Sequence, residues 1–152
     1  MAHAAAVASV LEPGQLICPF VVVSKGQNRQ SIDFEAETQD QAVDRAWASL
    51  DEYRGYVDLW AMAREGLVAG TNGKDDVLVV CVWTHGMQDA AVFTQRFRPA
   101  VQSFGLVGPV ELQESIGEDE LGLIKGWFAQ GIESHPKGAM WADWQEKAEA
   151  GQ

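Results

Sequence analysis

Val77-Leu78-Val79-Val80-Cys81-Val82-Trp83-Thr84-His85, a polar break at Gly86-Met87-Gln88-Asp89, then Ala90-Ala91-Val92-Phe93-Thr94-Gln95-Arg96-Phe97-Arg98: this stretch decides the fold. Its first run is β-branched and apolar on both alternating faces, which is the pattern of a strand covered on two sides. A polar break followed by a second run of the same kind makes a hairpin. That hairpin belongs in the middle of an antiparallel sheet.

Upstream, Leu16 to Ser24 reads as a strand with Pro19 at its start or at a bulge, because proline donates no ladder hydrogen bond. Lys25 to Arg29 turns through Gly26 and Asn28 into a run with Ile32, Phe34 and Ala36 on one side and Asp33, Glu35 and Glu37 on the other. Such alternation is a strand with one wet face. Thr38, with Gln41 three residues on and Asp40 and Asp44 in the first turns, opens a helix. Val43, Ala46, Trp47, Leu50 and Tyr53 share one face of it, Trp47 is the expected anchor, and Arg54-Gly55 is the stop. Tyr56 to Val68 alternates as a third strand and turns through Gly70, Asn72 and Gly73 into the central one.

Past Pro99 the pattern loosens, with a short alternating piece at Val110 and Leu112 as a further strand. Ser115 and Glu118 repeat the capping spacing ahead of a helix whose face is Leu121, Ile124, Phe128 and Ile132, widened by Leu123 and Trp127. Gly122, Gly126 and Gly131 weaken that helix, so packing has to hold it. Met140, Trp141, Trp144 and Ala148 mark a last helix, whose tryptophans must dock on this chain or on another molecule. The expectation is an α+β fold of order ββαβββ(β)αα, a mostly antiparallel five- or six-stranded sheet packed against helices. Residues 1–14 are expected as an N-terminal arm, 15–134 as a single domain and 135–152 as a helical extension.

At 152 residues and 47 % hydrophobic, the chain suffices for one buried core, and six Trp and six Phe give it a large aromatic content. Cys18 and Cys81 lie in apolar runs and read as free thiols. The net charge of -11 argues against a nucleic-acid or anionic-membrane partner, which would require a basic surface. Residues 33–58 carry eight acids and two bases, and residues 111–152 carry nine and three. Residues 59–110 carry four of each, which leaves the central strands neutral, as an interface core requires. With no secretory leader and no apolar run of membrane length, the reading is a soluble, cytoplasmic protein of bacterial type.

Reaction motifs are lacking. Gly66 to Lys74 has Val68 where a phosphate loop needs glycine and Asp75 where it needs a hydroxyl, so it reads as a hairpin turn. No Cys or His spacing fits zinc, and Asp33, Glu35 and Glu37 read as a solvated strand face rather than a cation site. His85, with Asp89 four residues on, could be an oriented imidazole or a turn residue; His3 falls in the arm, and His135 precedes a proline. No cofactor is called for.

Trp60, Met62 and Arg64 share one face of the third strand, and Thr94, Arg96 and Arg98 one face of the fifth. Trp, Met and Arg are enriched where proteins bind each other, so Trp60, Met62, Arg64 and Arg96, with Trp141 and Trp144, are interface candidates. The competing reading places Trp60 and Met62 in the core. The function expected is a non-catalytic protein-interaction domain, homodimeric, of the adaptor, immunity or chaperone kind. The alternative is a small-molecule pocket, catalytic or not, between the first long helix and the sheet, lined by Tyr53, Tyr56, Trp60, Trp83 and His85.

Overall fold

The computed structural model describes residues 1–113 and 118–150. Helix α1 (Ala2–Ala8) is followed by strands β1 (Phe20–Lys25) and β2 (Asn28–Asp33), helix α2 (Gln39–Tyr53), and strands β3 (Leu59–Gly70), β4 (Gly73–Thr84), β5 (Ala91–Arg98) and β6 (Gly105–Leu112). Helices α3 (Glu118–Glu133) and α4 (Met140–Ala150) follow. The six strands form one sheet in the order β2-β1-β3-β4-β5-β6, antiparallel at every pairing. The fold is α+β, and both expected supersecondary units are present: the β1–β2 hairpin and the β3–β4–β5 meander. Strand β1 separates β2 from β3, so the connection through α2 steps over it.

The central strand is covered on both faces. Val77, Val79, Cys81 and Trp83 point toward α2 and bury with Val21, Val23, Ala46, Leu50, Trp60 and Met62. Leu78 and Val80 point the other way, into a second cluster with Phe20, Phe93, Phe97, Phe104, Leu106 and Trp144. Ala4, Ala5 and Ala8 of α1 belong to that second cluster. The N-terminal stretch expected as an arm is thus a helix whose alanines are buried in the core. The C-terminal helix is equally integral: Trp144, 3 % exposed, meets Phe104 edge-on at 5.4 Å, and Arg98 Nη2 donates to the Lys147 carbonyl.

Thr38 caps α2 as its spacing implies, its hydroxyl accepting from the Gln41 N–H. The buried face of α2 is Ala42, Ala46, Ser49 and Leu50 rather than one centred on Trp47, which is 36 % exposed and tilted against Trp60 at 5.3 Å. Strand β2 ends at Asp33, so Glu35 and Glu37 do not extend it; the Phe34 N–H instead donates to the Pro19 carbonyl. Strand β3 starts at Leu59, later than its alternation implies, because Asp58 is a knot. Its carboxylate accepts from the Gly26 N–H at 2.6 Å, its N–H donates to Ser24, and its carbonyl accepts from His85. Gly26, at φ +58°, supplies the turn that this contact needs.

Strand β6 is longer than the piece at Val110 and Leu112, and a register shift between Thr94 and Arg96 accommodates it. Gln95, fully buried beside that irregularity, donates its amide to the Val107 and Gly108 carbonyls. The Ser115 cap lies outside the described residues. Helix α3 stacks Phe128 on Phe93 at 4.8 Å, whereas Trp127, expected to widen the packed face, is 66 % exposed. Cys18 and Cys81 are free thiols, and burial pushes Cys81 up to about 11.

Candidate functional site

The residues singled out in sequence divide sharply by burial. Trp60 and Met62 are 0 % exposed beneath α2, and Trp144 is inside the opposite cluster, so none of the three offers an interface from the folded monomer. Trp60 Nε1 donates to Ser49 Oγ at 3.2 Å, which in turn donates to the Ala46 carbonyl at 2.6 Å. A buried indole N–H with its acceptor supplied by the covering helix is core architecture. Trp141 is half-buried against the second cluster.

The expected pocket residues differ in burial: Trp83 is buried, Tyr53 half-buried, and Tyr56 and His85 exposed. Tyr53 and Tyr56 pack edge-on at 5.7 Å near the end of α2. Trp83 is buried and donates to the Met87 carbonyl at 2.8 Å, while His85 is exposed with its ring 6.3 Å from Trp83. Among the described residues no hydrogen bond joins His85 to Asp89, and no group of three or more His, Cys, Asp or Glu side chains could hold a metal ion.

What the fold does build between α2 and the sheet is displaced by one helix face. A groove of about 450 Å³ runs between Trp47, Leu50, Asp51 and Arg54 of α2 and Asp89, Ala90 and Val92 at the start of β5. Leu50, Ala90 and Val92 give it apolar lining, and its charged residues Asp51, Arg54 and Asp89 are exposed. Arg54 is positioned by two contacts: its guanidinium lies 5.6 Å over the Trp83 ring and Nη1 donates to the Gln88 carbonyl at 3.4 Å. These contacts tie the end of α2 to the β4–β5 turn. Sequence reasoning missed Asp51 and gave Trp47 and Asp89 other roles, as helix anchor and partner of His85; the charges flanking the helical stripe were the signal, but which side of α2 faces β5 is a tertiary fact.

Farther along the same face, Arg64 lies opposite Val79, Val79 opposite Thr94, and Val77 opposite Arg96. The expected gathering of Arg64, Thr94 and Arg96 on one face is therefore present. Arg96 Nη1 bonds Asp75 at 2.9 Å, the one ion pair among the described residues, and Gln113 Nε2 donates to Thr94 Oγ1 at 3.1 Å.

A second cleft, about 220 Å³, opens on the opposite face between the 11–16 loop, Phe97, Ala100 and Val101. Glu65 and Asp76 stand in it. Burial raises the Glu65 carboxyl, partly offset by the Ile17 N–H that it accepts, and burial followed by the nearby Asp75 raises Asp76.

The architecture defines an α+β protein with a single antiparallel sheet clothed by helices on both faces. The chain matches no protein-family model, and neither a curated protein nor a solved structure proved similar to it. No helix among the described residues is long and apolar enough to cross a membrane.

Proposed function

We propose that this chain is a non-catalytic interaction domain that self-associates as a homodimer through the groove beside α2. The observation that carries the reading is Trp47, one-third exposed on the groove wall between charges of both signs, Asp51 and Asp89 against Arg54. A two-fold interface sets one patch against itself, so a patch holding an aromatic ledge and both signs of charge is self-complementary. The open, charged rim also fits a protein surface better than a small ligand, whose sites bury most of the ligand in an apolar cavity.

Charge exchange tests this directly. The intact chain is expected to sediment as a dimer. Arg54→Asp and Asp51→Arg should each yield monomer with the circular dichroism of the parent, and mixing the two variants should restore the dimer mass. A monomeric parent at all accessible concentrations, or variants that dimerise like the parent, would remove the proposal.

A further inference from the structure

We infer that Arg64 is a carboxylate-binding residue, at a site separate from the groove and independent of the dimer reading. The chain has twice as many acids as bases, 22 against 11, yet among the described residues no carboxylate lies within ion-pair distance of Arg64. Its side chain is half-buried, beside Val79. Among the described residues the guanidinium makes one hydrogen bond, from Nη1 to the Glu65 carbonyl at 3.1 Å. Nη1 is the nitrogen on the Cδ side, so the opposite edge, formed by the Nε–H and Nη2, is left without an acceptor. That edge is the parallel two-donor fork that matches the two oxygens of a carboxylate. Nε is buried and has no partner, which is the costly state of a charged donor.

The neighbours fit the same reading. Gly66 leaves the guanidinium its room: a Cβ there would stand 3.1 Å from Arg64 Nη1 and 3.3 Å from a Val79 methyl. Arg96 stands across Val77 from Gly66 but is already paired with Asp75, which among the described residues leaves Arg64 as the unpaired cation of the two. Thr94, opposite Val79, accepts from Gln113 and keeps its hydroxyl hydrogen free to donate. A cation desolvated on one edge and held from behind by a carbonyl favours a planar oxyanion. The source is a free small carboxylate or the carboxylate of an acidic peptide.

The experiment follows the arginine Nε–Hε resonances of the intact chain by nitrogen-15 correlation NMR, with Arg64 assigned from Arg64→Lys. Succinate, an N-acetylated tetraglutamate peptide and inorganic phosphate are titrated separately at constant ionic strength. The expected result is a saturable shift of the Arg64 Nε–Hε signal, with Arg54 and Arg98 shifting far less. Saturation by succinate identifies a small-molecule site; saturation by the peptide alone identifies a peptide-borne carboxylate. Gly66→Ala, which crowds Nη1 while β4 and β5 amide shifts report an intact sheet, should weaken binding at least several-fold. Phosphate binding equal to or tighter than both carboxylates, no saturable shift, or unchanged affinity in Gly66→Ala with Arg64 displaced would overturn the assignment.

Discussion

His135 Nε2 and His3 Nδ1 lie 3.4 Å apart, joining the segment between α3 and α4 to the N-terminal helix across 132 residues of sequence. The Lys137 N–H donates to His135 Nδ1 at 3.0 Å, which places the neutral ring's proton on Nε2 and directs it at His3. His3 in turn meets the Phe20 ring edge-on at 5.1 Å. Protonation of His135 would put a hydrogen on Nδ1 and break the Lys137 bond that orients the ring toward His3.

Acidification should therefore loosen the two ends of the chain. Burial, then the adjacent His3, lowers the His135 pKa from its usual 6.5. A base depressed in the folded state contributes stability that is present above its unfolded pKa and lost as pH falls through the folded one. Urea midpoints measured from about pH 8 down to about pH 5 should fall across and below the ordinary histidine range. In His135→Asn that slope should shrink, and an identical slope in the variant would discard the clasp.

Glu65 has the opposite sign. Its folded pKa is raised, so its contribution is fully present below the unfolded carboxyl value, about 4.3, and is lost as pH rises through the folded value. Glu65→Gln keeps an oxygen acceptor for the Ile17 N–H and removes the charge beside Asp76. The variant should melt higher than the parent at neutral pH, with the gap closing in acid. A lower neutral-pH melting temperature would contradict this account.

Beneath α2, Ser49→Ala should cost about 1–3 kcal/mol, since it leaves the buried Trp60 N–H without its acceptor. Trp60→Ala should cost about 3–5 kcal/mol or unfold the chain. Denaturant titration followed by tryptophan emission reads both. Trp60→Glu is expected to destroy the fold rather than to make a folded monomer.

The two C-terminal helices should respond differently to truncation. Trp144→Ala removes a core ring and should cost about 3–5 kcal/mol, whereas Trp127→Ala on the exposed side of α3 should stay within about 0.5 kcal/mol. Gly126→Ala meets no atom within 4 Å and should stabilise α3 by roughly 0.5–1 kcal/mol. Amide exchange across α3 would register the gain; a loss would show that a backbone approach requires the glycine.

The parts legible in sequence were those governed by local rules. The hairpin from Val77 to Arg98 and the cap at Thr38 depend on alternation and on a hydroxyl three residues before an N–H, and both stand. Strand β6 was nearly invisible because Gly105, Gly108 and Pro109 read as loop; on an edge strand beside a register shift they are tolerated. Helix α1 read as an arm because alanines carry little hydrophobic weight, although Ala4, Ala5 and Ala8 are buried in the core. Trp60 and Met62 are withdrawn as interface candidates for a related reason. Alternation put Trp60, Met62 and Arg64 on one face, but only the lie of α2 decides that the first two are sealed while Arg64 stays within reach of solvent.

The step over β1 leaves the N-terminal hairpin joined to the other four strands by a single ladder, the five pairs from Phe20–Ala63 to Ser24–Leu59. Peeling that hairpin away would bare the β3 edge over the same length, a template that the equivalent hairpin of another copy matches in full. Strand exchange between copies is consequently the misassembly this topology invites, and the Asp58 knot, which fastens the β1–β2 turn to the start of β3, is the restraint against it.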